Sequence, residues 1–114
     1  MSYRLALSLA LVPLAAACSP QTPQEQRAEA LRDEADAQAD AIEAAADNQA
    51  AQMESQAAQL VEQAGPSESF EAQRLKVQAD SLKEQAKLVR REAEAKARAA
   101  RDRGEAEASA LLAQ

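Results

Sequence analysis

Histidine and tryptophan are missing from this sequence, and only Tyr3 and Phe70 carry aromatic rings. Without histidine the chain lacks the commonest general base and the commonest metal ligand. The scarcity of aromatic rings argues against base stacking and against a roomy apolar ligand pocket. A single cysteine, Cys18, cannot form an intramolecular disulfide or a zinc cluster. We therefore expect no enzyme, no cofactor and no metal site.

Length and charge limit the number of domains and the class of binding partner. The 114 residues allow one domain at most, and the formal net charge is −6. An acidic balance disfavours a nucleic-acid partner. Only two residues are glycine, and alanine is abundant throughout. This composition is typical of long helices.

The first 17 residues have the proportions of an export signal. Arg4 supplies a positive charge, and Leu5–Leu14 form an apolar stretch that is too short to span a bilayer as a stable helix. Three small residues, Ala15, Ala16 and Ala17, then precede Cys18. Small residues at these positions allow the backbone to enter a narrow peptidase site.

This segment resembles the precursor of a bacterial lipoprotein. The lipobox of that family has the form Leu-Ala/Ser-Gly/Ala-Cys; Ala16, Ala17 and Cys18 match its last three positions, and Ala15 stands where Leu is usual. The resemblance implies cleavage after residue 17, diacylation of Cys18 and anchoring in the cell envelope. Ser19 follows the cysteine instead of Asp, which implies the periplasmic face of the outer membrane. Ordinary secretory cleavage after Ala17 is the alternative, since Ala15–Ala17 also fits the A-x-A pattern.

The mature chain is predicted to be all-α, with two long helices in an antiparallel hairpin. Residues 18–22 are a lipidated tether. Thr22, Pro23 and Glu25 are typical of a helix start with a capping box. The first helix is predicted over about 23–64, a turn over 65–67, and the second helix over about 68–112. Gly65 and Pro66 form the break, because Pro66 cannot continue a helix.

Apolar residues recur at helical spacing in both predicted helices. Leu31, Ile42 and Met53 are eleven residues apart, a hendecad repeat close to the period of an unstrained helix. Large residues and alanines together form one stripe per helix. The predicted packing residues are Leu31, Ile42, Met53, Leu60, Phe70, Leu75, Leu82 and Val89, with Phe70 at the turn. Gly104 is interpreted as a fraying point, with a packing notch as the alternative.

The charge distribution predicts how the helices pair. Residues 19–64 hold ten acidic and two basic residues, whereas residues 65–114 hold nine acidic and ten basic ones. A fold-back at residue 65 would bring Ile42 beside Val89. It would also pair Asp40 with Arg91, Asp36 with Lys96, and Asp33 with Arg98. Because the stripe is dominated by alanine, a lone hairpin buries little apolar area, and we expect a homo-oligomer.

Two clusters of charge are interpreted mainly as solvated or salt-bridged surface. The acidic cluster comprises Asp33, Glu34, Asp36, Asp40, Glu43 and Asp47. The basic run comprises Lys83, Lys87, Arg90, Arg91, Lys96, Arg98, Arg101 and Arg103. A cation site is the alternative for the first, and binding to anionic lipid or another envelope polyanion is the alternative for the second.

These features predict a non-enzymatic, lipid-anchored envelope protein that acts as a helical spacer or interaction scaffold. Its partners would be the membrane, through the acyl chains, a second copy of itself, and an unidentified envelope protein. In class it resembles the small alanine-rich helical envelope lipoproteins. The alternative is a stress-protective amphipathic protein that folds on membrane surfaces, because alanine-rich eleven-residue repeats also occur in such proteins.

Overall fold

The computed structural model describes residues 19–114, which form two long helices packed side by side. Helix α1 spans Pro23–Ala64 and helix α2 spans Phe70–Leu112. No strand occurs in this range, so the predicted all-α antiparallel hairpin is confirmed. At 1.5 Å per residue, 42 and 43 residues make each helix about 65 Å long. The predicted cleavage residues Ala15–Ala17 and the lipidation residue Cys18 lie outside the described residues.

Local hydrogen bonds explain where α1 begins. The backbone N–H of Glu25 donates to the Thr22 hydroxyl at 3.2 Å, and the Thr22 N–H donates to the Glu25 carboxylate at 2.7 Å. Pro23 follows Thr22 at the first helical position, where its missing N–H has no consequence. The predicted capping box is therefore confirmed.

The turn is longer than predicted. Gly65 ends α1 with φ +61, and its N–H donates to the Val61 carbonyl oxygen at 3.1 Å. Helix α2 begins at Phe70 instead of residue 68, because Ser69 is its cap: the Ser69 hydroxyl accepts from the Ala72 N–H at 3.1 Å. The Ser67 hydroxyl does not cap α2; it accepts from the Ser69 N–H at 3.1 Å within the turn.

Alanine forms the contact between the two helices. Thirteen alanines are buried, and no large side chain in residues 19–114 is fully buried. In α1 the buried positions repeat at intervals of seven and four residues, in agreement with the hendecad spacing. We call this set the alanine seam. Its members are Ala28, Ala35, Ala39, Ala46, Ala50, Ala57 and Ala64 of α1, with Ala72, Ala79, Ala86, Ala93, Ala97 and Ala108 of α2.

The large apolar side chains flank the seam and do not form it. Seven of them are half-buried: Leu31, Ile42, Met53, Leu60, Leu75, Leu82 and Val89. Each lies three residues after a buried alanine. Phe70 is 83% exposed, so the prediction that it packs against the turn is wrong. It lies two residues before Ala72, about 200° round the helix from the seam.

Gly104 is a packing notch. It is buried, and a Cβ added to it would overlap the Ala35 Cβ and lie 3.2 Å from the Leu31 carbonyl oxygen. The hydrogen of Gly104 therefore allows α1 and α2 to approach more closely than any side chain would. The interpretation of Gly104 as a fraying point is wrong, and its alternative is confirmed.

The register of the hairpin differs from the predicted one. Ala35 faces Gly104, whereas the predicted fold-back placed residue 96 opposite it. The eight-residue offset sets Ile42 and Val89 about 12 Å apart along the helix axes, so they do not lie directly opposite each other as predicted, although both line the same groove beside Ala46 and Ala93. Part of the offset comes from the longer turn. At the open end, the offset register seats Ala35 on the Gly104 notch.

Candidate functional surfaces

The hairpin has two unlike faces, one on each side of the alanine seam. The seam residues Ala46 and Ala93 lie at the bottom of the depression on each of the two faces. Arg90 and Asp47 lie beside this pair on one side, whereas Ile42 and Val89 lie beside it on the other. The first side is called the ion-pair face and the second the apolar groove.

Three arginines cross the ion-pair face. Arg101 of α2 reaches three carboxylates of α1: Asp40 at 2.9 Å, Glu43 at 3.2 Å and Asp36 at 3.4 Å. Arg32 of α1 makes a bidentate pair with Glu105 of α2, with N–O distances of 2.7 and 3.1 Å. Such paired hydrogen bonds fix the relative position of the two helices as well as attracting them.

The third arginine, Arg90, joins two carboxylates of α1. Its Nε lies 3.3 Å from an Asp47 oxygen, and its Nη atoms donate to both oxygens of Glu54. Arg32, Arg90 and Arg101 each lie four residues after a seam alanine, whereas the large apolar residues lie three residues after one. This one-residue difference in spacing could have separated the two faces at the sequence level.

The ion pairs shift the titration of the carboxylates. Hydrogen bonds from Arg90 lower the pKa of Glu54, and those from Arg32 lower the pKa of Glu105. Within α2, hydrogen bonds from Lys87 and Lys96 lower the pKa of Glu84 and Glu92 in the same way. The charged forms of these carboxylates are therefore the ones that the folded state favours.

The acidic cluster of α1 lies along the ion-pair face for much of its length. Asp36, Asp40 and Glu43 pair with Arg101, and Asp47 pairs with Arg90, which confirms the salt-bridge interpretation for these four. Among residues 19–114 no three acidic or thiol side chains converge as metal ligands would.

The partners predicted for the acidic cluster are wrong, because the register is offset. Arg101, not Arg91, pairs with Asp40, and Asp36 pairs with the same arginine instead of with Lys96. Lys96 pairs with Glu92 one turn earlier in its own helix, at 2.7 Å.

The basic run of α2 is divided between its neighbours. Arg90 and Arg101 hold α1, while Lys83, Lys87 and Lys96 pair with carboxylates of their own helix. Five of the eight cations are thus engaged, which supports the salt-bridge interpretation of the run.

The apolar groove runs along the opposite face of the hairpin. Leu60 and Leu82 line it near the turn, Ile42 and Val89 in its middle, and Leu31 and Ala100 towards the open end. Near the turn its rims are uncharged, with Gln56, Gln63, Gln78 and Gln85 on either side. Farther from the turn the rims are charged, with Glu92 and Lys96 in the middle and Glu34, Arg103 and Glu107 towards the open end. The groove therefore offers half-buried aliphatic side chains between rims that are uncharged near the turn and charged elsewhere.

The two ends of the hairpin also differ from each other. At the open end, the tether residues Ser19–Thr22 lie close to Leu112 at the end of α2. The turn lies at the other end, about 65 Å away. Phe70 is exposed beside the turn, and Val77 and Leu88 of α2 are 69% and 60% exposed on its outer surface.

Neither helix contains a stretch long and apolar enough to cross a bilayer, within the residues that the structure describes. No family model, curated protein or solved structure matches the chain.

Proposed function

We propose that this chain is a non-enzymatic lipoprotein of the bacterial cell envelope, anchored by acyl chains on Cys18, whose hairpin acts as a spacer or interaction scaffold. The observation that carries the proposal is the sequence Ala15-Ala16-Ala17-Cys18 directly before a short polar tether. Two acyl chains give durable membrane association, whereas one gives only marginal binding. In enteric-type bacteria the expected location is the periplasmic face of the outer membrane, since Ser19 follows the cysteine.

The geometry of the hairpin supports a spacer. The tether and the end of α2 lie together at the open end, so an anchor at residue 18 leaves the turn about 65 Å from the membrane when the helices stand upright. Interhelical ion pairs on one face and the alanine seam hold the two helices together along this length. The exposed Phe70 is then presented at the far end, where an envelope protein could bind.

Acylation tests the proposal directly. In a bacterial host the wild-type protein should fractionate with membranes, and its N-terminal residue should carry the mass of a diacylglyceryl group. Cys18→Ser should lose both properties, whereas Ser19→Ala, which leaves the thiol, should keep them. Recovery of the wild-type protein in the soluble periplasmic fraction, without added acyl mass, would contradict the proposal.

A second candidate is a stress-protective amphipathic protein that folds on membrane surfaces. The thin core favours it, because alanine side chains bury little apolar area and no large side chain of residues 19–114 is fully buried. Circular dichroism of the Cys18→Ser protein separates the two candidates. A scaffold should be helical in buffer and melt cooperatively, whereas a surface-folding protein should become helical only when anionic vesicles are added.

A further inference from the structure

The apolar groove gathers half-buried aliphatic side chains on one face of the hairpin, whereas the more exposed apolar residues, such as Val77 and Leu88, lie outside it. In an antiparallel pair, residues at the same offset from the seam of each helix lie on the same face of the pair. Leu31, Ile42, Met53 and Leu60 of α1 therefore share the groove with Leu75, Leu82 and Val89 of α2. All seven are half-buried in the single hairpin. The opposite side of the seam has arginines and carboxylates at the corresponding positions.

The dimensions of this face match those of a protein–protein interface. The groove residues span about 50 Å, and two helices packed 8–10 Å apart present a face about 15 Å wide. A second hairpin laid on it would cover about 750 Å² per copy, close to the typical 800 Å² per partner of stable complexes. The second hairpin would also bury large side chains of both copies. The single hairpin has no fully buried large side chain among residues 19–114.

Charge decides between the two symmetric ways of stacking two hairpins face to face. If the turns lie at the same end, α1 of one copy rests on α2 of the other. If the turns lie at opposite ends, α1 rests on α1 and α2 on α2. Helix α1 holds ten acidic and two basic residues, whereas α2 holds eight acidic and ten basic ones. The first arrangement sets a net charge of −8 against +2 in both helix pairs, whereas the second sets −8 against −8 in one pair and +2 against +2 in the other.

We propose that two copies of this chain pack through their apolar grooves, with both turns at the same end, to form a four-helix bundle. The seven groove residues become its core, and the ion-pair faces stay on the outside. This assembly does not depend on the proposed lipid anchor. It places both tethers at one end, so two acylated chains could insert in the same membrane without strain.

Cysteine crosslinking tests the arrangement in the full chain carrying Cys18→Ser, purified in mild detergent. With the turns together, the two copies of residue 60 face each other across the bundle. With the turns apart, they are about 50 Å from each other, since residue 60 lies far from the middle of α1. Leu60→Cys should therefore be linked into covalent dimers by a short bismaleimide.

The matched control is Ala58→Cys. Residue 58 is exposed and lies about 200° round α1 from residue 60, away from the groove. We expect dimer formation at least about tenfold faster for Leu60→Cys, since a preformed complex raises the effective thiol concentration. Leu31→Cys, at the other end of α1, should behave like Leu60→Cys. Equal rates for the groove and control positions would overturn the proposal. Linkage of Leu60→Cys to Arg27→Cys alone would also overturn it, because residue 27 faces residue 60 when the turns lie at opposite ends.

Sedimentation measures the same assembly without crosslinks. The Cys18→Ser protein should sediment as a dimer. Ile42→Glu should weaken dimerisation about 100-fold or more, because it places a charge in the middle of the interface. Leu88→Glu, at an exposed position outside the groove, should leave it unchanged. A wild-type monomer throughout the micromolar range, or equal effects of the two variants, would refute the bundle.

Discussion

Replacing Gly104 with alanine tests whether close helix contact, rather than helix propensity, governs the stability of this hairpin. Inside a helix, alanine is favoured over glycine by about 1 kcal/mol. An exposed position in α2 should follow this rule. At Gly104 the added methyl would overlap the Ala35 Cβ and press on the Leu31 carbonyl oxygen. Neither is the flexible end of a long side chain, so the helices themselves must move.

The magnitude follows from how far they must move. Carbon atoms pack at about 3.5–4.0 Å, so relieving the overlap separates α1 and α2 locally by roughly 1–2 Å. Gaps of this size forfeit much of the contact energy of the neighbouring seam alanines, and overpacked sites typically cost about 1–3 kcal/mol. After subtracting the gain in propensity, we expect Gly104→Ala to destabilise the fold by up to about 2 kcal/mol. For a domain of this size that lowers Tm by up to about 16 °C.

Thermal melts followed by circular dichroism at one protein concentration provide the measurement, with Ala106→Gly as the control. Ala106 is exposed in the same helix, two residues away, and its change to glycine should cost about 0.5–1 kcal/mol. Combining Gly104→Ala with Ala35→Gly moves the methyl to the other helix and should restore most of the stability. A higher Tm for Gly104→Ala, or strictly additive effects of the two changes, would refute the notch.

Three further outcomes follow from the structure. The pKa of Glu54 is lowered in the fold by hydrogen bonds from Arg90, so its contribution to stability is present above the ordinary value of 4.5 and is lost as the pH falls below it. Tm should therefore drop between pH 5 and about pH 3, and less steeply in Glu54→Gln than in the control Glu62→Gln. Thr22→Ala removes the capping hydroxyl and should destabilise the fold by about 1 kcal/mol in chemical denaturation, whereas an unchanged midpoint would contradict the role of the cap. Phe70→Ser should change stability by less than about 0.5 kcal/mol, since this ring is 83% exposed, and a loss of several kcal/mol would show that it is buried after all.

Much of this fold is predictable from the sequence, because the signals that start, sustain and end a helix are local. Thr22, Pro23 and Glu25 lie within four residues and define the start of α1 through their own hydrogen bonds. Gly65 and Pro66 mark the break in the same way. The start of α2 was less predictable, since Ser67 and Ser69 are both suitable caps. The choice between them depends on hydrogen bonding in the turn.

The candidate surfaces were only partly predictable. The spacing of Leu31, Ile42 and Met53 indicates an apolar stripe, and the charge imbalance indicates an antiparallel pairing of acidic with basic segments. Arg101 appeared in the sequence as one member of a basic run. Its contacts with Asp36, Asp40 and Glu43 follow only from the register of the two helices. That register depends on a contact between residues far apart in the chain.

The sequence by itself determined that this chain is helical, that it folds back near residue 65, and that alanines recur along one side of each helix. These properties depend on backbone preferences and on a period that no tertiary contact needs to supply. Only the tertiary structure decided that alanine, not leucine, fills the contact, and that Gly104 receives Ala35. The physical reason is that small side chains on both helices allow the closest approach. Once the helices approach this closely, the larger residues no longer fit between them and are displaced into the groove.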